Sequence, residues 1–313
     1  MLSRTADSLF WFSRYIERAE NTARLLEAAG RLSALPTHYA GSTNEWESAL
    51  SATGALHQYY LTHEAATADD VVSFLAFDEG NPSSIKSCVQ AARANARAVR
   101  TALTLETWEA INDTWLQLRR FDNRPLSRPL LNELIGFVKE ASLQVDGSAY
   151  RTMLRTDNYF FMRLGTFIER ADSTARILDV KYHVLLPAGE RIGGGLDYIQ
   201  WRSILRSVSA LTSYHWVYRE NVKPWLVADL LILRKEMPRS LSNCVANLVS
   251  FLDQIAVEYG QQGPAQRMAR HIFARLDNAR IEDVFQSGLH EFLTEFIADV
   301  NELGMTISKQ YLL

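Results

Sequence analysis

A stretch that the chain states twice constrains it more than any other feature. Residues Thr5–Glu27 read TADSLFWFSRYIERAENTARLLE, and Thr166–Asp179 read TFIERADSTARILD. At an offset of 152 positions, eight of the thirteen residues in Tyr15–Glu27 are identical to those in Phe167–Asp179, among them Glu17/Glu169, Arg18/Arg170 and Arg24/Arg176. Ordinary residue usage gives roughly one match by chance. Fainter echoes follow. Trp46, Leu50 and Tyr59 recur as Trp201, Leu205 and Tyr214 at an offset of 155, and Pro82 and Cys88 as Pro238 and Cys244 at 156. The pattern predicts an internal duplication, with pseudo-repeats over 1–147 and 148–313.

The repeated block holds no Pro or Gly and has helical period. At about 100° per residue, Phe12, Tyr15, Ile16, Ala19, Ala23 and Leu26 share one side, a stripe suited to packing. The other side carries Asp7, Trp11, Arg14, Glu17, Arg18 and Asn21, with Arg24 beside Glu17. It is rich in Arg and has no Lys. A flat, forked donor is the one that meets a carboxylate or phosphate squarely. The second copy keeps Glu169, Arg170 and Arg176 but has Thr166 for Arg14 and Arg163 for Trp11. Two readings stay open. One is a buried ion-pair lattice between two Glu-Arg helices packed about a local two-fold axis. The other is a polar cavity for an anionic ligand.

Punctuation along the chain predicts only helices. The first spans about Thr5–Leu35 and stops at Pro36; the next span Asn44–Leu61 and Asp69–Phe77. Asn81-Pro82 and Met237-Pro238 read as helix starts, with Asn81 capping and Pro at the first helical position. Helices over Leu105–Phe121 and Leu130–Val145 close the first half, with Asp146-Gly147 as the seam. A long helix from Ser148 to about Leu185 opens the second, which ends with Pro264–Asp277 and Gly288–Gln310. Phe74–Phe77 and Leu230–Leu233 read as buried helical turns. The connectors are His38–Thr43 and Pro187–Gly195; the latter's glycines lack the strand and the Lys-Ser/Thr of a phosphate loop. The expectation is one all-α helical-bundle domain of about twelve helices.

A net charge of −3 and a pI near 6.2 speak against a general nucleic-acid surface. No apolar run reaches the length of a membrane span and no targeting segment is visible. The two cysteines, at matching places, read as packing residues in a cytoplasmic protein. The seven histidines form no ligand pair at metal-binding spacing. No nucleophile elbow or nucleotide loop appears, so the chain shows no ATP site of its own. Arg93, Arg97 and Arg100 lie at spacings of four and three on one helix side, with no basic counterpart in the second half. That asymmetry is what a single working site, or a solvated basic stripe, would leave.

LSRTADSLFWFSRYIERAENTAR at Leu2–Arg24, FLAFDEGNPSSIKSCVQAARANARAVR at Phe74–Arg100 and ETWEAIN at Glu106–Asn112 together resemble the alpha-E family, over essentially the whole chain. That family is bacterial, all-helical and named for its Glu-Arg motif. Its members are typically encoded beside, or fused to, a circularly permuted ATP-grasp protein, often near transglutaminase-like proteins. The resemblance implies amide or peptide bond formation, with ATP and Mg handled by the partner, which activates a carboxylate. Wheel and resemblance together make Glu17, Arg18, Glu169 and Arg170 the candidate catalytic residues. Arg14, Arg24, Arg93, Arg97, Arg100 and Arg176 would hold an anionic substrate. Trp11 would wall the pocket, and Asp7 and Asn21 would orient the arginines. The alternative is a non-catalytic scaffold that docks the partner or presents its substrate.

Overall fold

The computed structural model describes residues 3–34, 44–122, 127–183 and 194–312, and every regular element in them is helical. The first half runs α1 (Ser3–Leu32), α2 (Glu45–Thr53), α3 (Leu56–Tyr59), α4 (Ala68–Ala76), α5 (Ile85–Ala98), α6 (Leu105–Leu118) and α7 (Arg128–Thr152). Then come α8 (Asp157–His183), α9 (Gly195–Ser207), α10 (Leu211–Tyr218), α11 (Pro224–Ile232) and α12 (Leu241–Tyr259). The chain closes with α13 (Pro264–Asp277), α14 (Ile281–Ser287) and α15 (Leu289–Ile307). No helix among the described residues is long and apolar enough to cross a membrane.

Two long helices, α1 and α8, form the axis. They pack on each other and are covered by a layer of helices: α5, α7, α2 and α9 lie on α1, while α12, α15 and α2 lie on α8. Being covered on several sides, α1 buries far more than its predicted stripe. Phe10, Phe12, Ile16 and Leu26 are inside, but so are Glu17, Glu20, Asn21 and Arg24. An amphipathic wheel describes a surface helix, and α1 is an interior one. Tyr15, assigned to the packing stripe, is only partly buried.

Several predicted boundaries move for identifiable reasons. The count rises from about twelve to fifteen α-helices among the described residues. Part of the rise comes from Asn44–Leu61, which splits where Gly54 adopts φ +72° and ends α2. The matching stop after α9 uses Ser209 at φ +57°, a left-handed conformation that an L residue takes at a cost. Asn81 does not cap α5. Its Oδ1 accepts from Ser83 N at 2.9 Å in a local turn, and the cap passes to Ser84, which accepts from Ser87 N. Ser240 does the same for Asn243 N ahead of α12. The seam at Asp146-Gly147 is no break, because α7 runs through it to Thr152. One interior glycine costs only about 1 kcal/mol, less than the packing of the flanking turns supplies. The chain turns instead at Met153, which is extended at ψ 138°. The first helix ends at Leu32 rather than Leu35, and Gly288–Gln310 resolves into α15 and a following π turn, Ser308–Leu312. Phe74 and Leu230 do sit in buried helical turns. The connectors at His38–Thr43 and Pro187–Gly193 lie outside the described residues.

Candidate functional site

The two axial helices touch at small residues. Ser13 Oγ donates to the Met162 carbonyl at 2.5 Å. A Cβ on Gly165 would stand 2.1 Å from the Phe10 carbonyl oxygen. Backbones this close bring the next turn of each helix, Glu17-Arg18 and Glu169-Arg170, within side-chain reach of the other.

They exchange partners. Arg18 forks onto Glu169 through Nε at 2.6 Å and Nη2 at 3.0 Å, and Arg14 Nε adds a bond at 2.9 Å. Reciprocally, Arg170 forks onto Glu17 through Nε at 3.0 Å and Nη2 at 2.8 Å. Arg239, just ahead of α12, completes that cluster with bonds to Glu17 at 2.7 Å and to Glu20 at 2.9 Å. Glu20 also takes Arg24 Nε at 2.9 Å and the Ser142 hydroxyl at 2.8 Å. Arg24 Nη1 runs on to the Ser207 carbonyl at 2.7 Å and to Ser209 Oγ at 3.0 Å. Arg176 is held by Asp172 at 2.7 Å, in the i,i+4 arrangement that Arg24 has with Glu20. Its guanidinium lies beside Gly54, at the end of α2.

All three carboxylates, Glu17, Glu20 and Glu169, are buried. Burial alone would raise the pKa of Glu17, but Arg170 and Arg239 outweigh it and hold the group well below the usual carboxylate range. Glu169 is lowered in the same way, burial being overcome by Arg18 and Arg14. Arg18 and Arg170 are raised by their carboxylates against burial. Arg24 is lowered, first by burial and then by Arg239. Such carboxylates stay ionised at neutral pH and have no proton to give. Their bonding directions are already occupied by guanidiniums. The cavity that reaches Glu17, between Ser142, Asp146 and Thr166, measures about 10 Å³, room for one water at most. The ion-pair lattice, rather than an open anion cavity, is what the geometry supports at this place.

The remaining candidates scatter. Asp7 is raised by burial and lowered by a hydrogen bond from Trp11, so it orients the indole and not an arginine. Trp11 in turn carries Arg14 over its face at 4.6 Å. Asn21 Oδ1 is buried without a hydrogen-bond partner and holds no arginine either. Arg163, standing where Trp11 does in the first copy, pairs with Asp146 and lies over Phe167 at 4.9 Å. The basic row does not join the lattice. Arg93 donates to Asn112 at 2.9 Å, Arg97 is exposed, and Arg100 is exposed and lies over Trp108 at 5.4 Å. Cys88 sits in the field of Arg18 and Glu169, and Cys244 in that of Arg170 and Glu17. Burial pushes both thiols up to about 12, which suits packing and not attack.

Sequence reasoning missed Glu20, Ser142 and Arg239. Glu20 had a legible signal, since Asp172 stands at its repeat position and both precede an Arg by four. Arg239 had none, because its role depends on where α12 starts in space.

An all-helical domain threaded by a crossed pair of Glu-Arg motifs is thus the class of protein the geometry defines. The chain belongs to the Alpha-E family, described as a predicted alpha-helical domain with a conserved ER motif; the family model matches residues 1–312. It is also similar to uncharacterized proteins of Mycobacterium bovis and Mycobacterium tuberculosis. The identity is 25% over 323 residues, covering 95% of this chain and 35% of the M. bovis protein and of one M. tuberculosis protein. A second M. tuberculosis protein is 24% identical over the same coverage. The chain thus spans about a third of the length of these relatives. No solved structure matches it significantly.

Proposed function

We propose that this domain is the helical partner of an ATP-grasp ligase in amide or peptide bond formation, where it binds that partner or its carboxylate or amine substrate. In this reading the Glu-Arg lattice is the frame of the module, and ATP and Mg belong to the partner, a circularly permuted ATP-grasp protein. A transglutaminase-like protein is a further partner, and the setting is the cytoplasm. One observation carries the non-catalytic role of the lattice: Glu17 and Glu169 are each buried and each engaged by two guanidiniums, and the cavity that reaches Glu17 measures only about 10 Å³. The length of the mycobacterial relatives supports a module that works joined to something larger.

The same contacts support a chain built from two pseudo-symmetric repeats. Arg18–Glu169 mirrors Arg170–Glu17, the Ser84 cap mirrors Ser240, and Arg24 reaches the end of α9 as Arg176 reaches the end of α2. The turn at Met153–Thr156 is the natural join between them.

The test combines purified chain, ATP-grasp partner, ATP, Mg and an amino-acid mixture. The expected result is a stable complex, product only when this chain is present, and activity in lattice variants that tracks the folded fraction. A Glu17 variant as stable as the parent yet inactive would make the lattice catalytic. Absence of both complex and dependence would remove the ligase partnership.

A further inference from the structure

Away from the lattice, at the C-terminal end of α1, four arginines wall one cavity of about 390 Å³: Arg31 from α1, Arg128 from α7, and Arg202 and Arg206 from α9. Among the described residues no acidic side chain lines it. Arg31 has Glu27 at 2.6 Å, but Arg128, Arg202 and Arg206 have no acidic partner among the described residues. Four like charges around a concave, partly desolvated space repel one another and focus a positive potential into it. Two atoms of the wall sharpen the point. Arg202 Nε and Ser203 Oγ are both buried without a hydrogen-bond partner, a state that native interiors rarely leave unanswered. Arg202 is also steadied by Tyr198, 5.3 Å below its guanidinium.

The space does not end there. Arg31 and Arg128 also line a second cavity of about 340 Å³ between α1 and α7. That lobe is of mixed character, with apolar Leu26, Leu131 and Ile135, polar Asn132, and the Lys139–Glu27 pair at 3.0 Å. A bare ion would use only the arginine lobe.

The geometry points to a binding site for an organic phosphate, its phosphoryl groups on Arg31, Arg128, Arg202 and Arg206 and its organic part along Leu131, Asn132 and Ile135. Forked guanidiniums match phosphoryl oxygens, and four of them exceed what one carboxylate can neutralise. A chain of net charge −3 with its arginines in a hollow suits a small molecule better than a nucleic-acid backbone. The site stands independently of the ligase reading.

Titration calorimetry on the full chain at fixed ionic strength, with pyrophosphate and ADP as probes, tests it. Both should bind saturably, ADP more tightly. Arg128 and Arg206 are exposed, so the double variant Arg128→Gln/Arg206→Gln should fold normally. It should lose affinity for both probes by roughly a hundredfold, each charge-assisted contact accounting for about tenfold. At Gly136, in the second lobe, an added Cβ meets nothing within 4 Å, so Gly136→Leu should fill that lobe and weaken ADP alone. Absence of saturable binding, or binding that the double variant leaves unchanged, overturns the site. ADP binding no tighter than pyrophosphate, or untouched by Gly136→Leu, overturns the organic lobe.

Discussion

Replacing Glu17 with Gln keeps the volume and removes one charge from the centre of the molecule. Arg170 and Arg239, 13% and 11% exposed, then face an amide oxygen where a carboxylate stood. Arg239 keeps Glu20 at 2.9 Å, but Arg170 has no other acid within ion-pair distance among the described residues. Breaking one side of a buried pair costs about 3–5 kcal/mol, most of it the penalty of the orphaned charge. The retained Gln oxygen places the expectation near the low end. Unfolding entropy of about 2.1 cal/mol/K per residue over 313 residues gives about 0.66 kcal/mol/K. The Tm of Glu17→Gln should therefore fall by about 5 °C in scanning calorimetry. Asp277→Asn, which breaks the half-exposed pair with Lys235, should cost under about 1 kcal/mol and shift Tm by about 1 °C. Adding Arg170→Gln to Glu17→Gln should cost less than the two single changes summed, because the orphaned charge is gone. A Glu17→Gln protein melting within about 1 °C of the parent would refute the claim that this carboxylate holds α1 to α8.

Acid should act on the same groups. Glu17 and Glu169 have pKa values depressed below the ordinary 4.5, so the unfolded chain takes up protons first. Their contribution is complete above about 4.5 and is lost as pH falls through the folded values. Denaturant midpoints between about pH 6 and pH 3 should drop steeply for the parent and less so for Glu17→Gln. Gly165→Ala should cost about 3 kcal/mol or more in urea unfolding, because the new methyl would meet the Phe10 carbonyl at 2.1 Å and Ser13 Oγ at 2.3 Å. Wild-type stability in that variant would mean that α1 and α8 do not cross there. Cys88 and Cys244, with thiols near 12 and no exposed surface, should resist alkylation at about pH 8 until the chain unfolds. Rapid labelling of the native protein would contradict their burial.

How much of this was legible beforehand differs from residue to residue. The pairing of Glu17-Arg18 with Glu169-Arg170 could be anticipated, since a repeated Arg-rich, Lys-free helix face needs anionic partners and the second copy supplies them. Asp7 and Asn21 could not be assigned, because a wheel gives a direction and not a neighbour. Asp7 finds Trp11 on its own helix, and Asn21 leaves its Oδ1 buried without a hydrogen-bond partner. Of the row Arg93, Arg97 and Arg100, only the first two lie on α5; the helix ends at Ala98 and Arg100 falls in the following turn, Arg100–Ala102, so the expected single helix side is not formed. Glycine misled at both Gly147, read as a seam, and Gly54, read through as helix. The first sits in an ordinary helical turn, while the second needs a positive φ that only the chain's path reveals.

The amino-acid order by itself determined the all-helical class, the doubled motif and the need for its acids and bases to meet, because periodicity and composition are local properties. Tertiary structure decided that α1 lies in the interior, that Arg239 closes the lattice from far along the chain, and that four arginines from three helices wall one cleft. Those outcomes depend on distances between residues remote in sequence, and no local pattern encodes such distances.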